Sequence, residues 1–104
     1  VIIPYRLVVA PRADTDIDRI LHRIAQGSSA TAIVWAEALE KQFALICETP
    51  HRNIVVSQAP SSKDPVRSAP FLPYMIFFRT VDAERVVRIL RVRHGARRPI
   101  GRFE

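Results

Sequence analysis

With 104 residues and 11.8 kDa, the chain has room for one domain with one core, taken as residues 1–104. Apolar residues make up 48% and charged residues 25%, which excludes a disordered chain, and no apolar run approaches the ~18 residues of a membrane span. The net charge of +6 is unevenly placed: residues 1–65 balance, while the stretch from Arg85 to Arg102 holds seven arginines and no acid.

The first predicted element is a strand over 3–9, followed by Pro11. A helix is predicted over 14–27, with Ile17, Ile20, Leu21 and Ile24 on one face. Asp14, Asp16 and Asp18 fall in its first turn and His22 and Arg23 in its last, as the helix dipole favours, and Gly27 stops it. Ser28 or Ser29 caps a second helix running to about Glu48. Ala32, Ala36, Leu39, Phe43, Ile46 and Cys47 form its buried stripe, with Trp35 at the border. The short connection between the helices predicts an antiparallel hairpin.

Residues 50–65, with Pro50, Pro60 and Pro65, read as a surface loop holding at most a short strand at Ile54–Val56. Residues 65–70 read as an edge strand because prolines flank them. Strongly β-prone strands follow over 74–80 and 85–93, joined by a turn at Asp82–Glu84. The predicted architecture is α+β, in the order β-α-α-β-β-β, with a helical hairpin on one face of a small, mostly antiparallel sheet. Strict alternation along the last strand places Val87, Ile89, Arg91 and Arg93 on one side and Arg88, Leu90, Val92 and His94 on the other.

Catalytic patterns are scarce. The three glycines, Gly27, Gly95 and Gly101, make no phosphate loop, and there is no nucleophile elbow, HExxH or CxxC. His22, His51 and His94 are far apart among basic neighbours, so neither a metal site nor a cofactor is expected. Cys47 lies on an apolar stripe and reads as core, and a single cysteine fits a reducing compartment, the cytoplasm. The first residues are too short and too soon interrupted for a signal peptide, and Val1 in place of an initiating methionine points to a residue or two removed or left out. The three aspartates are explained by the dipole, and Trp35 and Phe43 by packing. The arginine tail alone has two readings, a solvated basic face or a docking surface for phosphates or carboxylates.

The runs Val66-Arg67-Ser68-Ala69-Pro70-Phe71, Tyr74-Met75-Ile76-Phe77-Phe78-Arg79 and Val87-Arg88-Ile89-Leu90-Arg91-Val92-Arg93-His94-Gly95-Ala96-Arg97 resemble a ParE toxin of the ParE/RelE superfamily, plasmid-stabilisation toxins of bacterial toxin–antitoxin systems. The resemblance implies a cytoplasmic inhibitor that binds DNA gyrase, neutralised by a cognate ParD-like antitoxin with a ribbon-helix-helix domain. Target contact is then expected at Arg91, Arg93, His94, Arg97 and Arg98. Antitoxin contact is expected on the hairpin and adjoining sheet, at Trp35, Arg67 and Arg79. No membrane or small-molecule ligand is implied. Arg93 and Arg98 depart from the family's usual apolar and acidic residues.

RelE-type relatives instead cut messenger RNA on the ribosome. Arg67 and Arg97 stand where those enzymes hold phosphate, and His94 is the one candidate for proton transfer, since Phe103 replaces the terminal tyrosine and has no proton to give. A third reading is a basic nucleic-acid-binding module, whose affinity would fall steeply with salt.

Overall fold

A computed structural model describes residues 3–57 and 64–95. Strand β1 (Arg6–Val9) leads into helix α1 (Pro11–Gly27) and helix α2 (Ser29–Glu48). A 3-10 turn at Pro50–Arg52 precedes β2 (Ile54–Ser57), β3 (Val66–Phe71), β4 (Tyr74–Val81) and β5 (Val86–His94). The five strands lie in the order β1-β5-β4-β3-β2, antiparallel except for β1, which runs parallel to β5. The α+β hairpin-on-sheet architecture is the predicted one, with one strand more.

Helix α1 starts three residues before its predicted first residue. Pro11 occupies its first turn, where a missing N–H costs nothing, so Pro11 opens the helix instead of merely ending the strand. That shift leaves only Asp14 among the acids of the first turn and removes His22 and Arg23 from the last. Ser28 caps α2, its hydroxyl accepting from the Thr31 N–H at 3.1 Å.

The edge assignment of residues 65–70 is corrected. Strand β3 is interior, and the short, exposed β2 forms the edge. Pro70 is tolerated because it stands near the end of β3, opposite Met75 beside the hairpin.

Alternation along β5 also fails, at one residue. Ile89 stands opposite Phe78 and Arg91 opposite Phe77, so Leu90 is an extra residue in a β-bulge. Beyond it the faces exchange. Val92 therefore joins Val87 and Ile89 in the core beneath the helices, with Ile76, Phe78 and Ala69 from the sheet and Ile20, Leu39, Phe43, Ile46 and Cys47 from the helices. Cys47 is buried in that core, and burial pushes its thiol pKa up. Both helices thus cover one sheet face; the register puts Met75, Phe77, Arg79, Arg88, Arg91 and Arg93 on the other, the last two arginines standing past the end of the β1 pairing, where their side chains also meet α1 residues. No helix among the described residues is long and apolar enough to cross a membrane.

Candidate functional site

The β1–β5 ladder ends at Val9–Ile89, so the outer edge of β5 beyond that point has no strand neighbour among the described residues. Helix α1 supplies the substitute. Asp16, only 9% exposed, accepts the Val92 N–H at 3.0 Å and grips the Arg91 guanidinium through both oxygens, at 2.7 Å from Nε and 3.0 Å from Nη2. These bonds raise the pKa of Arg91 and keep it charged. A fork of this kind is the strongest geometry available to a carboxylate and an arginine.

Beside this pair, α1 and the end of β5 enclose a cleft of about 80 Å³. Asp16, Arg19, Ile20 and Arg23 line it from the helix, Tyr74 from β4, and Arg91, Val92, Arg93 and His94 from β5. Arg23 Nη2 donates to the Tyr74 hydroxyl at 3.2 Å. The Tyr74 ring meets His94 edge-on at 5.7 Å and Trp35 at 5.6 Å, and Trp35 in turn lies 5.6 Å from Phe71. Trp35 is thus a half-buried packing residue within one ring contact of the cleft.

Three of the residues expected at a target surface, Arg91, Arg93 and His94, converge here; Arg97 and Arg98 lie outside the described residues. Arg91 is committed to Asp16, which leaves Arg93 and His94 as the members facing the cleft without that tie. Arg19 and Arg23 were not recognised from the sequence. Their signal was present: Asp16, Arg19 and Arg23 each precede an isoleucine of the apolar face, Ile17, Ile20 and Ile24, and so run along one border of it. The sequence pattern attributes Asp16 to the helix dipole alone; in the fold its partner is Arg91.

Arg67 and Arg79 stand elsewhere. Arg67 Nη1 donates to the carbonyls of Asn53, at 2.6 Å, and His51, at 3.4 Å, tying β3 to the turn after α2. Arg79 Nη1 donates to the Asp64 carbonyl at 2.6 Å. At the same end of the sheet, Asp82 Oδ1 receives both the Tyr5 hydroxyl and His51 Nε2, each at 2.8 Å, and the Arg85 guanidinium lies 4.5 Å from the Tyr5 ring centre. Arg85 holds a left-handed backbone, φ 53°, at the turn into β5. The Tyr5 hydrogen bond, then that of His51, draws the Asp82 carboxyl below its ordinary range, and the same Tyr5–Asp82 bond raises the Tyr5 phenol.

The separation between the two ends is set by register. Arg67 stands opposite Phe78 and, across β4, level with Ile89, whereas His94 stands opposite Tyr74. At ~3.3 Å per residue and ~4.8 Å between strands, their backbones are about 16 Å apart. The three residues a ribonuclease reading requires are therefore not assembled among the described residues: Arg67 turns to backbone carbonyls, His94 lies at the far cleft, and Arg97 is not described.

A family model described as the ParE toxin of the type II toxin–antitoxin system parDE matches residues 7–99. Among curated proteins none matches. Three solved structures share the fold. One is a chain of the toxin–antitoxin complex RelBE2 from Mycobacterium tuberculosis, with TM-score 0.62, 24% identity, and coverage of 91% of this chain and 95% of that one. A chain of the chromosomal ParDE system of P. aeruginosa gives 0.64 and 20%, over 86% and 95%. A free, arginine-substituted mutant of the E. coli toxin RelE gives 0.55 and 18%, over 90% and 86%.

Proposed function

Because the chain belongs to the ParE toxin family of type II toxin–antitoxin systems, we propose that it acts by gripping a macromolecular target, DNA gyrase, rather than by cutting RNA. The observation that carries this reading is the separation of Arg67 from His94. A phosphodiester cleavage site needs its cations and its proton carrier around one phosphate, and here the Arg67 guanidinium is spent on the Asn53 and His51 carbonyls at the opposite end of the sheet. The basic end of β5, with Arg93 and His94, is the contact surface; Arg97 and Arg98, expected at the target from the sequence, lie outside the described residues.

The same reading includes an antitoxin partner of the ParD type and a cytoplasmic site of action. Helix α2 supports the partner: Ile33, Val34 and Leu45 are 60%, 65% and 56% exposed on its outer side, apolar surface that a masking protein would cover. The RelBE2 and ParDE neighbours are themselves toxin–antitoxin systems.

The test is negative supercoiling of relaxed plasmid by purified gyrase in the presence of this protein. Inhibition at micromolar protein is expected; unchanged supercoiling overturns the gyrase target. Primer extension on translated message reads the ribonuclease alternative, and codon-phased cuts that vanish in Arg67→Ala would replace the binding reading.

A further inference from the structure

The cleft between α1 and β5 holds more positive charge than its own carboxylate neutralises. Asp16 and Arg91 compensate each other. Arg19 and Arg93 have no hydrogen-bond or ion-pair partner among the described residues, and Arg23 donates only to the neutral Tyr74 hydroxyl. Three guanidinium groups with no paired counter-charge among the described residues therefore border one small cavity. Such an arrangement repels itself until an anion enters.

We propose that this cleft is a socket for a single carboxylate side chain carried on an acidic segment of a partner protein. Its size suits one small anionic group at a time: about 80 Å³ takes a single carboxylate. Its surroundings disfavour a polyanion. On α1 the exposed Asp14 and Asp18 alternate with Arg12, Arg19 and Arg23, and α2 exposes Glu37, Glu40 and Glu48, so the helix side offers no continuous positive track for a nucleic-acid backbone. The floor already displays the chemistry, since Asp16 engages the Arg91 fork and the Val92 N–H there. An apolar neighbour is provided as well. Leu72 is 84% exposed in the hairpin two residues before Tyr74, where it can receive an apolar side chain flanking the acid.

A segment seated in the socket covers Arg93 and His94. Partner and target then compete for one end of β5, and neutralisation follows from occupancy with no change of shape. The socket deepens the antitoxin reading and rests on it only for the origin of the segment.

Trp35, the sole tryptophan, contacts Tyr74 and reports on the cleft by its fluorescence. The full chain is titrated with a blocked hexapeptide alternating leucine and glutamate, with its leucine–glutamine counterpart, and with a twelve-nucleotide single strand. A saturable change is expected with the glutamate peptide alone. Loss of a charge partner should weaken it about tenfold or more in Arg19→Gln and Arg93→Gln, while Arg52→Gln, at an exposed turn outside the cleft, binds as the wild type does. Circular dichroism confirms that the variants are folded. An equal response to the glutamine peptide, no response to either peptide, or tighter Arg19- and Arg93-dependent binding of the oligonucleotide overturns the socket. The antitoxin reading fails separately: a purified ParD-type antitoxin that does not bind, while the glutamate peptide does, removes that reading and leaves the socket. An antitoxin that binds the wild type and both variants equally overturns the socket and leaves the reading.

Discussion

Asp16 and Arg91, 75 residues apart in sequence, form a two-pronged ion pair that ties the second turn of α1 to β5 immediately after its bulge. Their side chains are 10% and 15% exposed, so each depends on the other to offset the loss of water. The Val92 N–H completes the arrangement. One carboxylate thus positions α1 against β5 and settles which arginines remain available at the cleft.

Breaking that pair should cost stability. Asp16→Ala leaves the Arg91 charge and the Val92 N–H without their partner, and a loss of about 3 kcal/mol is expected, the low end for a buried pair because both groups keep some water contact. Asp16→Asn retains an acceptor for the N–H and should lose less. Urea unfolding midpoints measure both; an Asp16→Ala midpoint equal to that of the wild type would mean that the pair stabilises nothing.

Acid should loosen the opposite end of the sheet. The folded state holds the Asp82 carboxyl below its ordinary value, chiefly through the Tyr5 hydroxyl. Its contribution is therefore fully present above the unfolded carboxyl pKa, about 3.9, and is lost as pH falls through the lower folded value. Tyr5 has the opposite sign: its raised folded pKa leaves the contribution intact below about 10 and loses it as pH rises through the folded value. Both groups are exposed enough that the effects are modest. Unfolding midpoints of wild type and Asp82→Asn should converge at the acid end and separate toward neutral pH. Parallel curves throughout would remove the linkage.

Core and contact surface should respond differently to truncation. Phe43 is 5% exposed and Leu39 3%, and their alanine variants should lose about 2–5 kcal/mol by opening cavities. Arg93→Ala removes no partnered interaction among the described residues and should stay within about 0.5 kcal/mol of the wild type. Calorimetric melting compares the three. A melted Arg93→Ala beside an intact Phe43→Ala would reverse the placement of core and surface.

Local patterns in the sequence reached the helices and most strands. The isoleucine spacing of α1, the Ser28 cap and the Ala32–Cys47 stripe are local, and each is expressed in the fold. What escaped depends on partners distant in sequence. The bulge at Leu90 exists only against β4, so strict alternation sorted Val92 away from the core it joins. The placement of β3 inside the sheet depends on β2 pairing beyond it, which prolines flanking 65–70 do not reveal. Asp16 looked like an ordinary dipole acid because its partner lies on the last strand. The arginines of β5 were legible as a basic cluster, but Arg19 and Arg23 joined them only once α1 was packed beside the strand.

The most direct measurement is colony survival when the protein is induced in cells lacking its antitoxin, comparing the wild type with an Arg93→Gln/His94→Gln double variant at matched protein levels. If the end of β5 grips the target, the double variant folds, accumulates and lets cells grow, while the wild type arrests them. Equal killing by the two proteins would contradict it.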